Sequence, residues 1–201
     1  MKKFLAMLIF IMLWPAAIWA ETYESTLGFS MDIPEHWLIM SKQELRDNPD
    51  IFNFDSELFK NVDKNVFEQT KKLISSGKIE VYFNQKTSDA RFADNINVTK
   101  RVGRLPQTDA EYKKVCEQLP AALSKILGKA VAIYQCSVKN IGSMNAFYLE
   151  NDGLIDGTRS LQYHIQKSPS VMLIFTATCN NDNLEAIKYE FNEMISSVVL
   201  E

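Results

Sequence analysis

An unbroken run of apolar residues near the carboxyl end most constrains the fold of this chain. Residues 171–175 read Val-Met-Leu-Ile-Phe, a composition typical of a strand that is covered on both faces. Residues 159–166, just before it, alternate between apolar and polar side chains, which predicts a half-buried antiparallel strand. The Ser-Pro-Ser turn at 168–170 joins the two segments, so the pattern predicts a β-hairpin.

A helix predicted directly after this hairpin would cover one of its faces. Over residues 184–198, apolar side chains recur at helical spacing and form a single stripe: Leu184, Ile187, Phe191, Met194, Ile195 and Val198. Because the run at 171–175 is apolar on both sides, a second cover must come from earlier in the chain. We therefore expect helices on both faces of a sheet.

The amino terminus has the composition of a secretory signal peptide. Residues 1–3, Met-Lys-Lys, form a short basic leader, residues 4–13 are apolar, and residues 15–20 end in the small residue Ala20 before a polar stretch. An uncleaved anchor is the alternative, but Pro15 interrupts the segment and the segment is short for a membrane span. We expect cleavage after Ala20, a periplasmic or secreted protein, and no stable membrane insertion afterwards. The first cysteine is Cys116, so a lipoprotein anchor is excluded.

Composition places the remaining chain, residues 21–201, in a single globular domain. The whole chain of 201 residues has a formal net charge of −3, and removal of the leader would make it more negative. Residues Lys100, Arg101 and Arg104 are expected to lie at a solvated strand end. An acidic domain without a basic face does not have the charge distribution of a nucleic-acid-binding protein.

Two capping boxes and several alternating segments predict the other elements. Ser41 with Glu44 and Thr108 with Glu111 each mark the start of a helix, and a long amphipathic helix is predicted over residues 55–75. The second capped helix is expected to continue or kink at Pro120. Strands are predicted at residues 29–33, 37–40, 79–84, 96–102, 130–138 and 144–150.

This order of elements predicts an α+β fold. Neighbouring strands joined by tight turns favour a largely antiparallel sheet, and three sizeable helices separated in sequence can cover both of its faces. The predicted architecture is a three-layer α/β/α sandwich.

Two short motifs at the ends of the domain resemble the PsbP-like superfamily. The first is Gly28-Phe29-Ser30 followed by Pro34 and Trp37, and the second is the closing helix that ends in Ile-Ser-Ser-Val at residues 195–198. This superfamily includes the extrinsic PsbP subunit of photosystem II, the Ran-binding Mog proteins and many exported bacterial proteins. The resemblance implies an antiparallel sheet between helical layers. The chain departs from the pattern through a helical insertion at residues 41–77, and no functional residue of the superfamily can be carried over.

Three cysteines in an exported chain allow one disulfide and leave one thiol. Cys116 lies in a predicted helix, Cys136 in a predicted strand and Cys179 at the end of the last predicted strand. All three pairings are open, as are three buried thiols. We favour Cys116 with Cys136, because a helix that leads directly into the next strand often packs on it.

No catalytic, cofactor or metal motif is found in the sequence. Asp152 and Asp156 could bind calcium, but their spacing lacks the alternating oxygen ligands of a calcium loop, and a turn explains them better. His164 could pair with Ser160 on one strand face, although the glycine pattern of a hydrolase nucleophile is absent. No cofactor is therefore predicted.

Two classes of function fit these observations. The preferred hypothesis is a non-catalytic protein that binds another protein through residues 85–94 or the inserted helix, with His36, Trp37 and Phe92 as candidate contact residues. The alternative is a small hydrolase or thiol enzyme built around His164 and Cys179. An outward patch of Trp37, Phe92 and Phe147 would favour binding, whereas a deep pocket holding His164 and Cys179 would favour catalysis.

Overall fold

A seven-stranded antiparallel sheet forms the centre of the computed structural model, which describes residues 20–53, 64–87 and 92–201. Its strand order is β3-β4-β5-β9-β8-β7-β6, and every neighbouring pair is antiparallel. The strands are β3 Trp37–Met40, β4 Ile79–Asn84, β5 Asn95–Val102, β6 Ile133–Ile141, β7 Met144–Asp152, β8 Thr158–Ser168 and β9 Val171–Asn180.

Four α-helices accompany this sheet within the described ranges: α1 Lys42–Asp47, α2 Lys64–Ser75, α3 Asp109–Leu127 and α4 Leu184–Ser196. Both predicted caps are present, since the side chains of Ser41 and Thr108 accept hydrogen bonds from the backbone N–H groups of Glu44 and Glu111. α3 continues through Pro120. Residues 55–63 of the predicted long helix lie outside the described residues.

A second, three-stranded sheet was not predicted from the sequence. It consists of β1 Ala20–Ser25, β2 Phe29–Pro34 and β10 Val199–Leu200, in the order β1-β2-β10. β1 reads Ala-Glu-Thr-Tyr-Glu-Ser and has no apolar alternation, while β10 has only two residues. Both strands therefore depend on pairing with β2 and on the core beneath it, which a local pattern does not show.

The layers of the molecule confirm the predicted α/β/α sandwich. On one face of the large sheet, α4 and the small sheet enclose the main core, in which Phe29, Phe175 and Phe191 are almost fully buried. On the opposite face, α2 packs on β4 through Phe67 and Ile74. α3 packs on the other end of that face, over β7 and β6. Helices thus lie on both sides of an antiparallel sheet.

The central strand β9 is enclosed less completely than the sequence predicts. Leu173, Phe175, Ala177 and Cys179 point into the main core and have no exposed surface. The side chains that point the other way, including Ile174, are half-buried. α3 packs against only one of them, Met172, because α2 and α3 lie over the two ends of this face. The expectation of full enclosure on both faces is therefore wrong for the second face.

A buried carboxylate joins the small sheet to the large one. The side chain of Glu80 on β4 has no exposed surface and accepts four hydrogen bonds. The donors are the Ser25 hydroxyl (2.8 Å), the Tyr82 hydroxyl (2.9 Å), and the Thr26 hydroxyl and backbone N–H (3.0 and 3.1 Å). Neutral donors alone therefore satisfy this carboxylate, and they tie the β1–β2 turn to β4.

Replacing this carboxylate with an amide should destabilise the fold. In Glu80→Gln the amide NH₂ group would face hydrogen-bond donors, so at least one buried polar group would lose its partner. We expect the free energy of unfolding to fall by about 2 kcal/mol in a chemical denaturation experiment. Glu117→Gln on the exposed side of α3 is the matched control and should change the value little. Equal stability of the two variants would contradict the structural role of Glu80.

Candidate interaction surface

The three contact residues proposed from the sequence do not form an exposed patch. Trp37 is only 3% exposed and belongs to the main core, while His36 and Phe92 are half-buried. Phe147, which was expected to extend the patch, is 4% exposed beneath α3. The outward aromatic surface that would have favoured binding is therefore absent at these positions.

His36 and Trp37 instead anchor the start of β3 to α4. The carboxylate oxygen Oε2 of Glu190 lies 3.0 Å from Nε2 of His36 and accepts a hydrogen bond of 2.9 Å from the indole N–H of Trp37. A buried indole needs an acceptor, and α4 supplies it. These contacts give the pair a structural role.

His164 and Cys179 lie on opposite faces of the sheet. In the β8–β9 register His164 pairs with Ile174, whereas Cys179 pairs with Arg159 and points into the main core. Burial raises the pKa of the Cys179 thiol to about 12, so it is not a thiolate nucleophile near neutral pH. The structure does not bring these two side chains into one site.

His164 is instead held among uncharged groups beneath α3. Its Nε2 lies 3.0 Å from Oε1 of Gln162, and its ring meets the Phe147 ring edge to face at 5.4 Å. The Gln162 amide donates in turn to the Ser160 hydroxyl (3.3 Å), so Gln162 separates the serine from the histidine. Burial lowers the pKa of His164 to about 4, which leaves it neutral at physiological pH.

The aspartates considered for calcium binding have other partners. Asp156 forms an ion pair with Lys129 at 2.6 Å, and Asp152 accepts hydrogen bonds from the backbone N–H of Ala132 and the hydroxyl of Tyr134. Turn chemistry therefore accounts for both. Among the described residues, no group of three His, Cys, Asp or Glu side chains is arranged to hold a metal ion.

A disulfide joins α3 to the outermost strand of the large sheet. Cys116 in α3 and Cys136 in β6 are bonded, with Cα atoms 5.8 Å apart, as the sequence analysis favoured. Cys179 is the remaining thiol. The bond ties β6 to the helix that packs on it, so this edge strand is held from one face by a covalent link.

The other face of β6 presents a lysine with unusual surroundings. The ammonium group of Lys139 lies 3.3 Å from the centre of the Tyr148 ring and donates a hydrogen bond of 3.2 Å to the Tyr163 hydroxyl. No carboxylate of the described residues lies within 4 Å of it. Burial and the nearby charge of Lys188 lower the pKa of Lys139. The charge of Glu150 acts in the opposite direction, but it lies beyond ion-pair distance, so aromatic rings and a hydroxyl make the direct contacts of this ammonium group among the described residues.

The neighbouring charges are already paired with one another. Glu150 on β7 is 5% exposed. Its carboxylate forms ion pairs with Arg159 at 3.1 Å and Lys188 at 2.7 Å, and it accepts a hydrogen bond of 3.2 Å from the Tyr148 hydroxyl. Burial alone would raise the pKa of Glu150, but Lys188, Tyr148 and Arg159 together bring it below its ordinary value. The guanidinium of Arg159 also stacks on Tyr134 at 3.3 Å. Lys139 is thus the one cation of this group that makes no direct ion pair among the described residues.

β6 is also an open edge of the sheet. It spans nine residues, and its outer side pairs with no strand in the described ranges. Tyr134 is 52% exposed and Val138 is 39% exposed. The strand β3 at the opposite edge has only four residues. A long, exposed edge offers backbone donors and acceptors that a partner strand can pair with.

Comparison with known proteins identifies the fold. No protein family model matches the chain, and no curated protein matches it in sequence. Among solved structures, cyanobacterial PsbP (CyanoP) from Synechocystis matches with a TM-score of 0.55 and 13% sequence identity, over 94% of this chain and 96% of that one. The chain has the PsbP-like fold.

Two further solved structures show weaker similarity. The Ran-binding protein Mog1p of Saccharomyces cerevisiae matches with a TM-score of 0.46 and 11% identity, covering 92% of this chain and 96% of that one. LpqN of Mycobacterium tuberculosis, described as involved in cell envelope biogenesis, matches with a TM-score of 0.44 and 11% identity, covering 90% and 84%. At these identities the comparison with PsbP establishes the architecture alone.

Sequence reasoning about this PsbP-like chain missed the group around Lys139. The predicted strand ended at Val138, one residue before the lysine, and no sequence pattern connected Glu150, Arg159 and Lys188 across three elements. One signal was available, because Glu150 follows the apolar stretch at residues 146–149 within a predicted strand. A buried carboxylate requires partners, so this position pointed to a nearby cation.

The disulfide predicts a definite thiol count. In protein denatured without reductant, only Cys179 should react with a thiol reagent, and reduction should raise the count to three. In the native protein Cys179 should react slowly, because it is buried and its pKa is raised to about 12. The count is read by mass spectrometry after alkylation. Three reactive thiols before reduction would contradict the disulfide.

The lowered pKa of His164 predicts a loss of stability in acid. The pKa of an unfolded histidine is about 6.5, so the unfolded state binds the proton more tightly than the folded state, where the pKa is about 4. The free energy of unfolding should therefore decrease as pH falls from about 6.5 towards 4, by about 2 kcal/mol after allowance for partial exposure.

Denaturation of His164→Gln over the same pH range checks this expectation. The variant should lack this part of the pH dependence, and an NMR titration of the His164 ring in the native protein should show a low midpoint. A ring that titrates near pH 6.5, together with an unchanged pH dependence in the variant, would contradict the prediction.

Proposed function

We propose that this chain is an exported, non-catalytic protein that binds another protein along the β6 edge of its large sheet. The single observation that carries the proposal is the nine-residue edge strand, which is covalently tied to α3 and whose outer side pairs with no other strand that the structure describes. A rigid edge loses little conformational entropy when a partner strand pairs with it. Strand addition to an exposed edge is a recurring mode of protein recognition.

The composition of this edge supports a protein partner. Tyr134 and Val138 expose apolar surface beside a cationic group, and aromatic and arginine side chains are enriched in protein interfaces. The chain as a whole is acidic, with a formal net charge of −3, and this argues against nucleic acid. No helix in the described part of the chain is both long and apolar enough to cross a bilayer.

Export is supported by two features of the chain. Residues 1–20 have the composition of a signal peptide, and they lie outside the described residues apart from Ala20. The disulfide between Cys116 and Cys136 is the kind of bond that persists in an oxidising compartment. We propose cleavage after Ala20 and a periplasmic or secreted location. The amino terminus of the protein recovered from envelope and culture fractions should then be Glu21, as read by intact mass.

Site-specific photocrosslinking in the native host tests the proposed surface. A photoreactive residue at Val138 should give a discrete adduct with another protein, because this side chain is exposed on β6. Val102, which is 91% exposed at the end of β5, is the matched control and should give none. Adducts would be identified by mass spectrometry after denaturing purification.

The same experiment examines the surfaces considered from the sequence. Photoreactive residues at Leu73, which is 44% exposed on α2, and at Gln85 report on the inserted helix and on the loop at 85–94. Deletion of α2 is unsuitable, because Phe67 and Ile74 pack with Met40 and Val81 and their removal would uncover this cluster. Adducts at Leu73 or Gln85 without any at Val138 would overturn the assignment to β6.

A further inference from the structure

The two faces of the β6 edge differ in chemistry. In the register with β7, Lys139 pairs with Ala146 and lies on the side of Tyr148 and Tyr163, whereas Val138 pairs with Phe147 on the side of α3. A strand that is added beside β6 would continue this alternation. Its successive side chains would face Lys139 on one side of the sheet and Val138 on the other.

The position of Lys139 indicates the charge of the side chain that would lie opposite it on the added strand. Directly opposite residues on neighbouring antiparallel strands have Cβ atoms about 5 Å apart, and pairs of opposite charge stabilise the pairing. The ammonium group of Lys139 has aromatic rings and a hydroxyl around it and no carboxylate within 4 Å among the described residues. Lys188, the cation near it, is already paired with Glu150, as is Arg159. The ammonium group now points inward over β7 and β8, so a carboxylate on an added strand would form a direct ion pair once the Lys139 side chain turns towards the open edge.

We propose that β6 binds an extended segment of a partner protein that carries Asp or Glu opposite Lys139 and an apolar side chain opposite Val138. This inference rests on the proposed function and adds the chemistry of the segment. The backbone of the segment pairs with the open edge of β6. The carboxylate makes an ion pair with Lys139, and the apolar side chain covers the exposed part of Val138.

An alternative role for Lys139 predicts the opposite effect on the binding of an added strand. Lysine side chains on edge strands protect sheets against pairing with other chains. If Lys139 only guards the edge, it repels every added strand, and its removal promotes self-association. The two roles are therefore distinguished by whether an acidic strand binds to the intact protein.

A pair of synthetic peptides provides the probe. Both alternate valine and threonine, and they differ only at one central position, which is glutamate in the first and lysine in the second. We expect the mature, oxidised protein to bind the glutamate peptide about three- to fivefold more tightly than the lysine peptide, as measured by fluorescence anisotropy at low salt. A glutamate peptide N-methylated at alternate residues should not bind, because it lacks the backbone donors for β6. Amide hydrogen exchange should slow within residues 133–141.

Charge reversal tests the assignment to Lys139. Lys139→Glu should reverse the preference and favour the lysine peptide, whereas Lys113→Glu, the same charge change on the exposed side of α3, should leave it unaltered. Lys139→Gln should bind both peptides equally. This second variant keeps the test informative if Lys139→Glu does not fold.

Three results would overturn the inference. They are equal affinity of the native protein for both peptides, a preference that Lys113→Glu abolishes as fully as Lys139→Glu, and a lack of peptide binding combined with self-association of Lys139→Gln. The last result would establish Lys139 as an edge guard. The two proposals can also fail separately. If Val138 gives an adduct in the host but the native protein does not prefer the glutamate peptide, this inference is contradicted and the proposed function stands.

Discussion

The pairing of β9 with β5 and β8, and the packing of its inner face on α4, are what the rest of the structure depends on. Leu173 and Phe175 are fully buried, and Phe175 meets Phe29 of the small sheet edge to face at 5.0 Å. Burying a side chain of this size stabilises a fold by about 2 kcal/mol, and β9 buries several in succession. The small sheet and α4 both attach to the large sheet through this inner face. Loss of β9 would therefore separate the layers.

The parts of this architecture that could be predicted are those with a strong local pattern. Alternation in β8, the apolar run in β9 and the stripe of α4 each identify an element from adjacent residues, and the caps at Ser41 and Thr108 mark helix starts correctly. β1 and β10 could not be found in this way, because their pairing with β2 links residues far apart in sequence. The full enclosure expected for β9 was wrong for a related reason. Composition shows that a strand can be buried, but the spacing of α2 and α3 decides how much of its second face is covered.

Charged residues inside strands were the least predictable part of the molecule. Glu80 alternates with apolar neighbours, as a solvent-facing residue would, yet it is fully buried because the β1–β2 turn supplies its hydrogen bonds. Glu150 is buried because Arg159 and Lys188 come to it from β8 and α4. In both cases the partner lies on an element that the local sequence does not identify. The same limit applies to His164 and Cys179. The sequence suggested both as site residues, but it did not show that their side chains point to opposite faces of the sheet.

The edges of the two sheets differ in length and in how they are covered by the described residues. In the large sheet the short β3 is followed directly by α1, and the edges of the small sheet are β1, with six residues, and β10, with two. β6 is long, and α3 is bonded to one of its faces by a disulfide, while its outer side pairs with no strand of the described residues. An edge strand whose backbone groups are unpaired can pair with strands of other chains, which favours aggregation. The disulfide holds this edge to the α3 cluster, and the ammonium group of Lys139 lies over the ring of the buried Tyr148, so both features stabilise packing within the domain. The backbone groups on the outer side of β6 are what this packing leaves unpaired among the described residues.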